Sequence, residues 1–198
     1  MLINYRESAI TILPAYTSRE GVITDYFKVK ENFYKVLDTL GSPSHNDLIV
    51  NIDLRVKNGY GEWGYLNSIC NAIWIKVSQY FWGRKSKHTK FPYVRAIESK
   101  VQKSGKVKDH AHMMIKIMDL KQPYTTIEIE DIITKICYNI KEINSKDRKS
   151  SNPPVKIRTF PFWEDKYNTL GKRIVYICKD TNINKTTYDP LIKGLHKN

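Results

Sequence analysis

Two imidazoles one residue apart, His110 and His112, lie inside the apolar run Asp109-His110-Ala111-His112-Met113-Met114-Ile115. On an extended strand, positions i and i+2 share a face and stand about 6.5 Å apart, so both rings can converge on one divalent ion. Ala111, Met113 and Ile115 then point the other way, into a core. An ion held by two neutral imidazoles calls for a carboxylate as well, to add charge and an oxygen donor. Glu98, at the end of the preceding apolar run, is the candidate. The nucleophile would come from Gly171-Lys172-Arg173-Ile174-Val175-Tyr176-Ile177-Cys178-Lys179-Asp180, where Tyr176 and Lys179 are three apart and share a helical face. A phenol with a pKa near 10 attacks poorly at neutral pH, so a metal on the phosphate and a nearby cation would both help. The same residues admit plainer roles: hydrogen-bonded core histidines, a strand-end acid neutralising Lys100 or Lys108, and a core-edge tyrosine, one of thirteen.

These side chains meet only if the intervening elements bring them together. The run Leu48 to Val56 alternates with period two and is bounded by Asn58-Gly59, which predicts a strand with Val50, Ile52, Leu54 and Val56 on its apolar face. Glu62 to Trp82 has helical spacing and leads into a basic loop, Gly83 to Lys90. Tyr93 to Glu98 and His110 to Met118 are expected to be the arms of a hairpin whose loop holds Lys103-Ser104-Gly105-Lys106. A turn centred on Ser104 places Glu98 opposite His110, and one centred on Gly105 places it opposite His112; a turn centred between them turns it away. Thr126 to Ile143 is read as a helix, Val155 to Phe160 as an edge strand after Pro153-Pro154, and Leu170 to Asp180 as a final helix.

That order predicts an α+β fold: a ferredoxin-like antiparallel sheet (strand-helix-strand-strand-helix-strand) with two helices on one face, plus a C-terminal helix carrying the tyrosine. The other face is left for a ligand. It would present Asn51, Asp53 and Arg55, then His110, His112 and Lys116, then Lys156 and Arg158, and so be polar and largely basic. Asp53, beside the histidines by alternation, is placed to orient one of them or a metal-bound water. Residues 1–45 read as an extension, helical from about Arg19, capped by Ser18 and closed by Gly41-Ser42-Pro43; residues 46–198 read as the domain.

A length of 198 residues suits one sizeable core. Thirty-three Lys and Arg against twenty Asp and Glu leave a formal charge of +13, which favours nucleic acid as the partner over a membrane surface, since no long basic amphipathic helix stands out. Cys70, Cys137 and Cys178 occur singly, without Cys-x-x-Cys spacing, and read as buried thiols in a reducing compartment. No apolar run of transmembrane length and no signal-peptide pattern is present, so an intracellular, cytoplasmic location is expected. The absence of a Gly-x-x-x-x-Gly-Lys-Ser/Thr loop argues against nucleotide hydrolysis.

Together, His110-Ala111-His112, the upstream Glu98 and the downstream Tyr176-Ile177-Cys178-Lys179 resemble the motif set of the HUH endonucleases, especially rolling-circle replication initiators with a single catalytic tyrosine. The resemblance covers about residues 47 to 182. It implies that Glu98, His110 and His112 hold Mg²⁺ or Mn²⁺ and that Tyr176 attacks a phosphodiester of single-stranded DNA at a plasmid or viral replication origin. A 5′-phosphotyrosine and a free 3′-hydroxyl would result, with Lys179 neutralising charge at the phosphate. Lys172 and Arg173 are expected to touch phosphates, with Trp163, Phe162 and Tyr167 as candidate base-stacking residues. A host helicase and polymerase would be partners. The alternatives are a single-tyrosine transposase, a relaxase, or a nucleic-acid-binding module of ferredoxin-like shape without chemistry.

Overall fold

The period-two run Leu48–Arg55 forms β1, and strands Tyr93–Val101 (β2) and Val107–Ile117 (β3) form the predicted hairpin. The computed structural model describes residues 26–41, 47–56, 63–101, 107–143, 145–161, 169–178 and 186–193. Helix α1 spans Tyr26–Leu40, α2 Trp63–Trp82, α3 Thr126–Tyr138 and α4 Thr169–Cys178, while Val155–Pro161 is β4 and Thr186–Lys193 is β5. Four strands in the order β4-β1-β3-β2 make an antiparallel sheet compatible with a ferredoxin-like arrangement, and β5 adds antiparallel to β2 at the edge. The molecule is therefore α+β.

Alternation decides which side chains enter the main core. Val50, Ile52 and Leu54 of β1 and Ala111, Met113 and Ile115 of β3 are buried on one sheet face, packed with Leu66, Ile69, Ile73 and Val77 of α2 and Ile129, Ile133 and Cys137 of α3. Two tryptophans in α2 lock that helix to the sheet: Trp74 Nε1 donates to the Phe91 carbonyl at 2.8 Å and Trp82 Nε1 to the Met118 carbonyl at 3.0 Å. Helix α3 starts with a capping box in which Thr125 and Glu128 satisfy each other's backbone N–H groups. It ends at Tyr138, short of the predicted Ile143.

The opposite face is not left open as alternation alone suggested. Helices α1 and α4 pack on it, burying Phe33, Val36, Leu37 and Leu40 together with Leu170, Ile174, Ile177 and Cys178 against Ile49, Val94, Ala96 and Met114 of the sheet. The cause is in the strands: towards the Leu48 end of β1 that face carries Ile49, Met114 and Val94, aliphatic residues that need covering. Gly41 closes α1 at φ 73°, where its N–H donates to the Leu37 carbonyl at 2.9 Å. Lys116, expected among the ligand-facing cations, is instead buried beside an equally buried Asp47, with 2.9 Å between ammonium and carboxylate. Strand β5 was not foreseen; it carries Asp189-Pro190, and a proline at an edge blunts further strand pairing.

Candidate active site

Among the described residues, helix cover ends before the Arg55 end of β1, and there the polar residues gather. The register pairs Asp53 with His112 and Arg55 with His110 across β1 and β3, and pairs Asp53 with Lys156 across β1 and β4. His110 and His112 leave the same face, with ring centroids 5.0 Å apart and planes at 87°. On β2, Glu98 is the register partner of His110, the arrangement of a turn centred on Ser104. Directly opposed residues of an antiparallel pair share a face, so position 98 joins the histidine side of the sheet.

His112 is held from behind. Its Nδ1 lies 2.7 Å from Asp53 Oδ1 in a part-buried setting. Only an N–H can bond a carboxylate at that distance, so the proton is assigned to Nδ1 and the lone pair to Nε2, the tautomer a metal ligand needs. Asn51 lies two residues back on the same face, its Nδ2 3.4 Å from Asp53 Oδ1. Arg173 reaches down from α4 to the same pair: Nε donates to Asn51 Oδ1 at 2.9 Å, and Nη2 pairs with Asp53 Oδ1 and lies 3.1 Å from His112 Nδ1. Arg173, expected from the sequence to touch a phosphate, has its guanidinium on Asn51 and Asp53 and also lines the cleft beside them.

The result is a cleft of about 160 Å³ lined by Asp53, His110, His112, Arg55, Lys156 and Arg173, walled by Pro153 and Pro154. With Arg173 paired to Asp53, the exposed Arg55 and Lys156 give it a positive balance, which suits a phosphate oxygen. Arg55 and Lys156 are exposed at its mouth. The proline pair was read only as a strand entry, and nothing in its spacing marked it as a wall.

Two imidazoles with Nδ1 of one fixed by a carboxylate are the donor chemistry of a divalent-ion site that takes a third, oxygen ligand. Among the described residues no group of three His, Cys, Asp or Glu side chains is placed to hold an ion. The side chain of Glu98 lies outside the described residues, as do the side chains of Lys172 and Tyr176 and all of Lys179 and 162–168. What is described of Tyr176 is its backbone: it falls on α4 three residues beyond Arg173, less than one helical turn further along the same flank. The two histidines, Asp53 and the tyrosine-bearing helix are thus brought to one end of the sheet.

Among the described residues no helix is long and apolar enough to cross a membrane. A scan against protein-family models, a search of curated proteins and a search of solved structures each return no match.

Proposed function

We propose that this chain is a metal-dependent, tyrosine-using endonuclease that nicks and rejoins single-stranded DNA, built on a ferredoxin-like sheet, and that it initiates rolling-circle replication of a plasmid or virus. The observation that carries this reading is the docking of α4 onto the histidine pair: Arg173 bonds Asp53, Asp53 bonds His112, and Tyr176 follows Arg173 on the same helix. A purely structural pair of histidines gives no reason for a positively lined cleft around them.

Glu98, His110 and His112 would hold Mg²⁺ or Mn²⁺, which supplies Lewis-acid polarisation of a phosphodiester oxygen. Arg55 and Lys156 bind the strand's phosphates at the cleft mouth, without reading sequence. Tyr176 Oη bonds to phosphorus as its proton passes to solvent. The bond from phosphorus to the 3′ oxygen breaks, and that oxygen takes a proton to become a 3′-hydroxyl. The 5′ end stays on Tyr176, and reversal of the same step rejoins the strand. Lys179 would offset negative charge at the reacting phosphate. The free 3′-hydroxyl is a primer, which is why a host polymerase and helicase are the expected partners.

The test is incubation of the purified chain with end-labelled single-stranded oligonucleotides and Mn²⁺. A species resistant to denaturation and carrying label is expected, absent with Tyr176→Phe and with the paired substitutions His110→Ala and His112→Ala. An adduct that persists in Tyr176→Phe would assign the nucleophile elsewhere, and cleavage indifferent to both histidines would remove the ion from the reaction.

A further inference from the structure

We infer that Arg173 is a positioning residue that couples the tyrosine helix to the metal-binding strand, so that occupation of the histidine site tightens α4 against the sheet. The inference rests on the proposed function for its consequence but not for its geometry. Arg173 is the described α4 side chain that leaves the helix to bond polar groups of β1, and it bonds two of them, Asn51 and Asp53. The Arg173 side chain is 21 % exposed, and that of Asp53 33 %. A charge-assisted pair so sheltered from water retains more strength than one at an open surface.

Much of the described packing of α4 is apolar. Leu170, Ile174, Ile177 and Cys178 bury against α1 and the aliphatic end of the sheet, and such packing is non-directional. It fixes that the helix lies on the sheet but aims no polar group at a particular partner. The planar fork of Arg173, held by Asn51 at one nitrogen and Asp53 at another, supplies the directional constraint. Tyr176 lies within a turn of that constraint, so the position of its backbone is set from the same carboxylate that sets His112.

The connection runs both ways. A metal held by the histidines would make the Nδ1–H of His112 a stronger donor to Asp53, the carboxylate that Arg173 grips. By linkage, what metal does to the Arg173 contact, that contact does to metal affinity. The helix and the ion site then behave as one unit, and a reacting phosphate finds nucleophile and metal already aligned.

Amide hydrogen exchange of the full chain, with and without Mn²⁺, tests this without requiring activity. In the wild type, Mn²⁺ should slow exchange across Thr169–Cys178. In Arg173→Ala, exchange there should be faster by roughly tenfold, as for loss of one charge-assisted hydrogen bond, and should no longer respond to Mn²⁺. Arg173→Lys, which keeps the charge but not the fork, should recover only part of the response. An α4 whose exchange responds to Mn²⁺ equally in all three proteins overturns the coupling, whatever the enzyme does. Where the wild type forms the DNA adduct, Arg173→Ala should slow its formation at saturating DNA and leave DNA affinity nearly unchanged. A loss confined to DNA affinity would make Arg173 a phosphate-binding residue and overturn the inference. Absence of any adduct in the wild type would reject the proposed function alone, since the exchange result stands by itself.

Discussion

His112 Nδ1 and Asp53 Oδ1 are 2.7 Å apart, across neighbouring strands whose register makes the two residues direct partners. One short hydrogen bond thereby fixes a ring's tautomer and leaves its other nitrogen with the lone pair. Asp53→Ala should leave the fold intact but weaken Mn²⁺ binding by about 10- to 100-fold, the usual cost of losing an outer partner of a ligating histidine. Titration by calorimetry or by the electron resonance of Mn²⁺ reads this directly. Unchanged affinity in a folded Asp53→Ala protein would mean that His112 is not a ligand.

Arg55 and Lys156 stand at the cleft mouth, where their charges meet solvent and an approaching strand. Substituting either by Gln should weaken single-stranded DNA binding and lower the salt dependence of the binding constant by about 0.7 for each phosphate that is no longer neutralised. Fluorescence anisotropy between low and moderate salt measures both. A variant whose affinity falls with no change of salt slope would show that the residue acts other than by neutralising a phosphate.

Asp47 and Lys116 form a buried ion pair beneath the helix layer. Asp47→Ala should cost about 3–5 kcal/mol, because the ammonium remains in a place from which it cannot reach water. Replacing both, as Asp47→Leu with Lys116→Met, should restore most of that loss. Urea denaturation at neutral pH separates the two, and DNA affinity of the double variant should match the wild type, since Lys116 does not face the cleft.

Burial pushes the thiols of Cys70 and Cys137 up to about 12, and that of Cys178 higher still, from an ordinary 9.0. The folded chain therefore keeps protons that the unfolded chain gives up above pH 9, so stability is full below that pH and falls as pH rises from there. Each thiol contributes a slope of about 1.4 kcal/mol per pH unit in that window. Melting temperature should hold level from pH 7 to 8.5 and then drop, less steeply in Cys178→Ala. Neutral thiol reagents should leave all three untouched until the chain unfolds.

The sheet was legible because period-two alternation is a direct record of which face is buried: β1 and β3 have their apolar sets where Val50, Ile52, Leu54, Met113 and Ile115 put them. The histidine pair and its neighbour Asp53 followed from the same rule. What alternation hid was the second layer. Ile49, Met114 and Val94 occupy the polar face towards its far end, with Ala96 opposite His112, and their need for cover is visible only once register shows them side by side. That is also why α1, read as an appended helix, is part of the packing, and why Lys116 is buried. The bonds of Arg173 to Asn51 and Asp53 were not legible: a basic residue on an amphipathic helix looks the same in sequence whether it meets a phosphate or a carboxylate beneath it. Strand β5 went unread because its run, Thr186–Lys193, carries a proline and lacks clean alternation.

The most direct measurement is the identity of the residue that carries DNA after reaction with a single-stranded oligonucleotide and Mn²⁺. Nuclease trimming and trypsin would release the peptide Ile174–Lys179, which follows Arg173 and holds Tyr176. Mass spectrometry should find a nucleotide on that peptide, localised to the tyrosine. A nucleotide found on a different residue, or a chain that cleaves DNA with no covalent intermediate at all, would contradict the account.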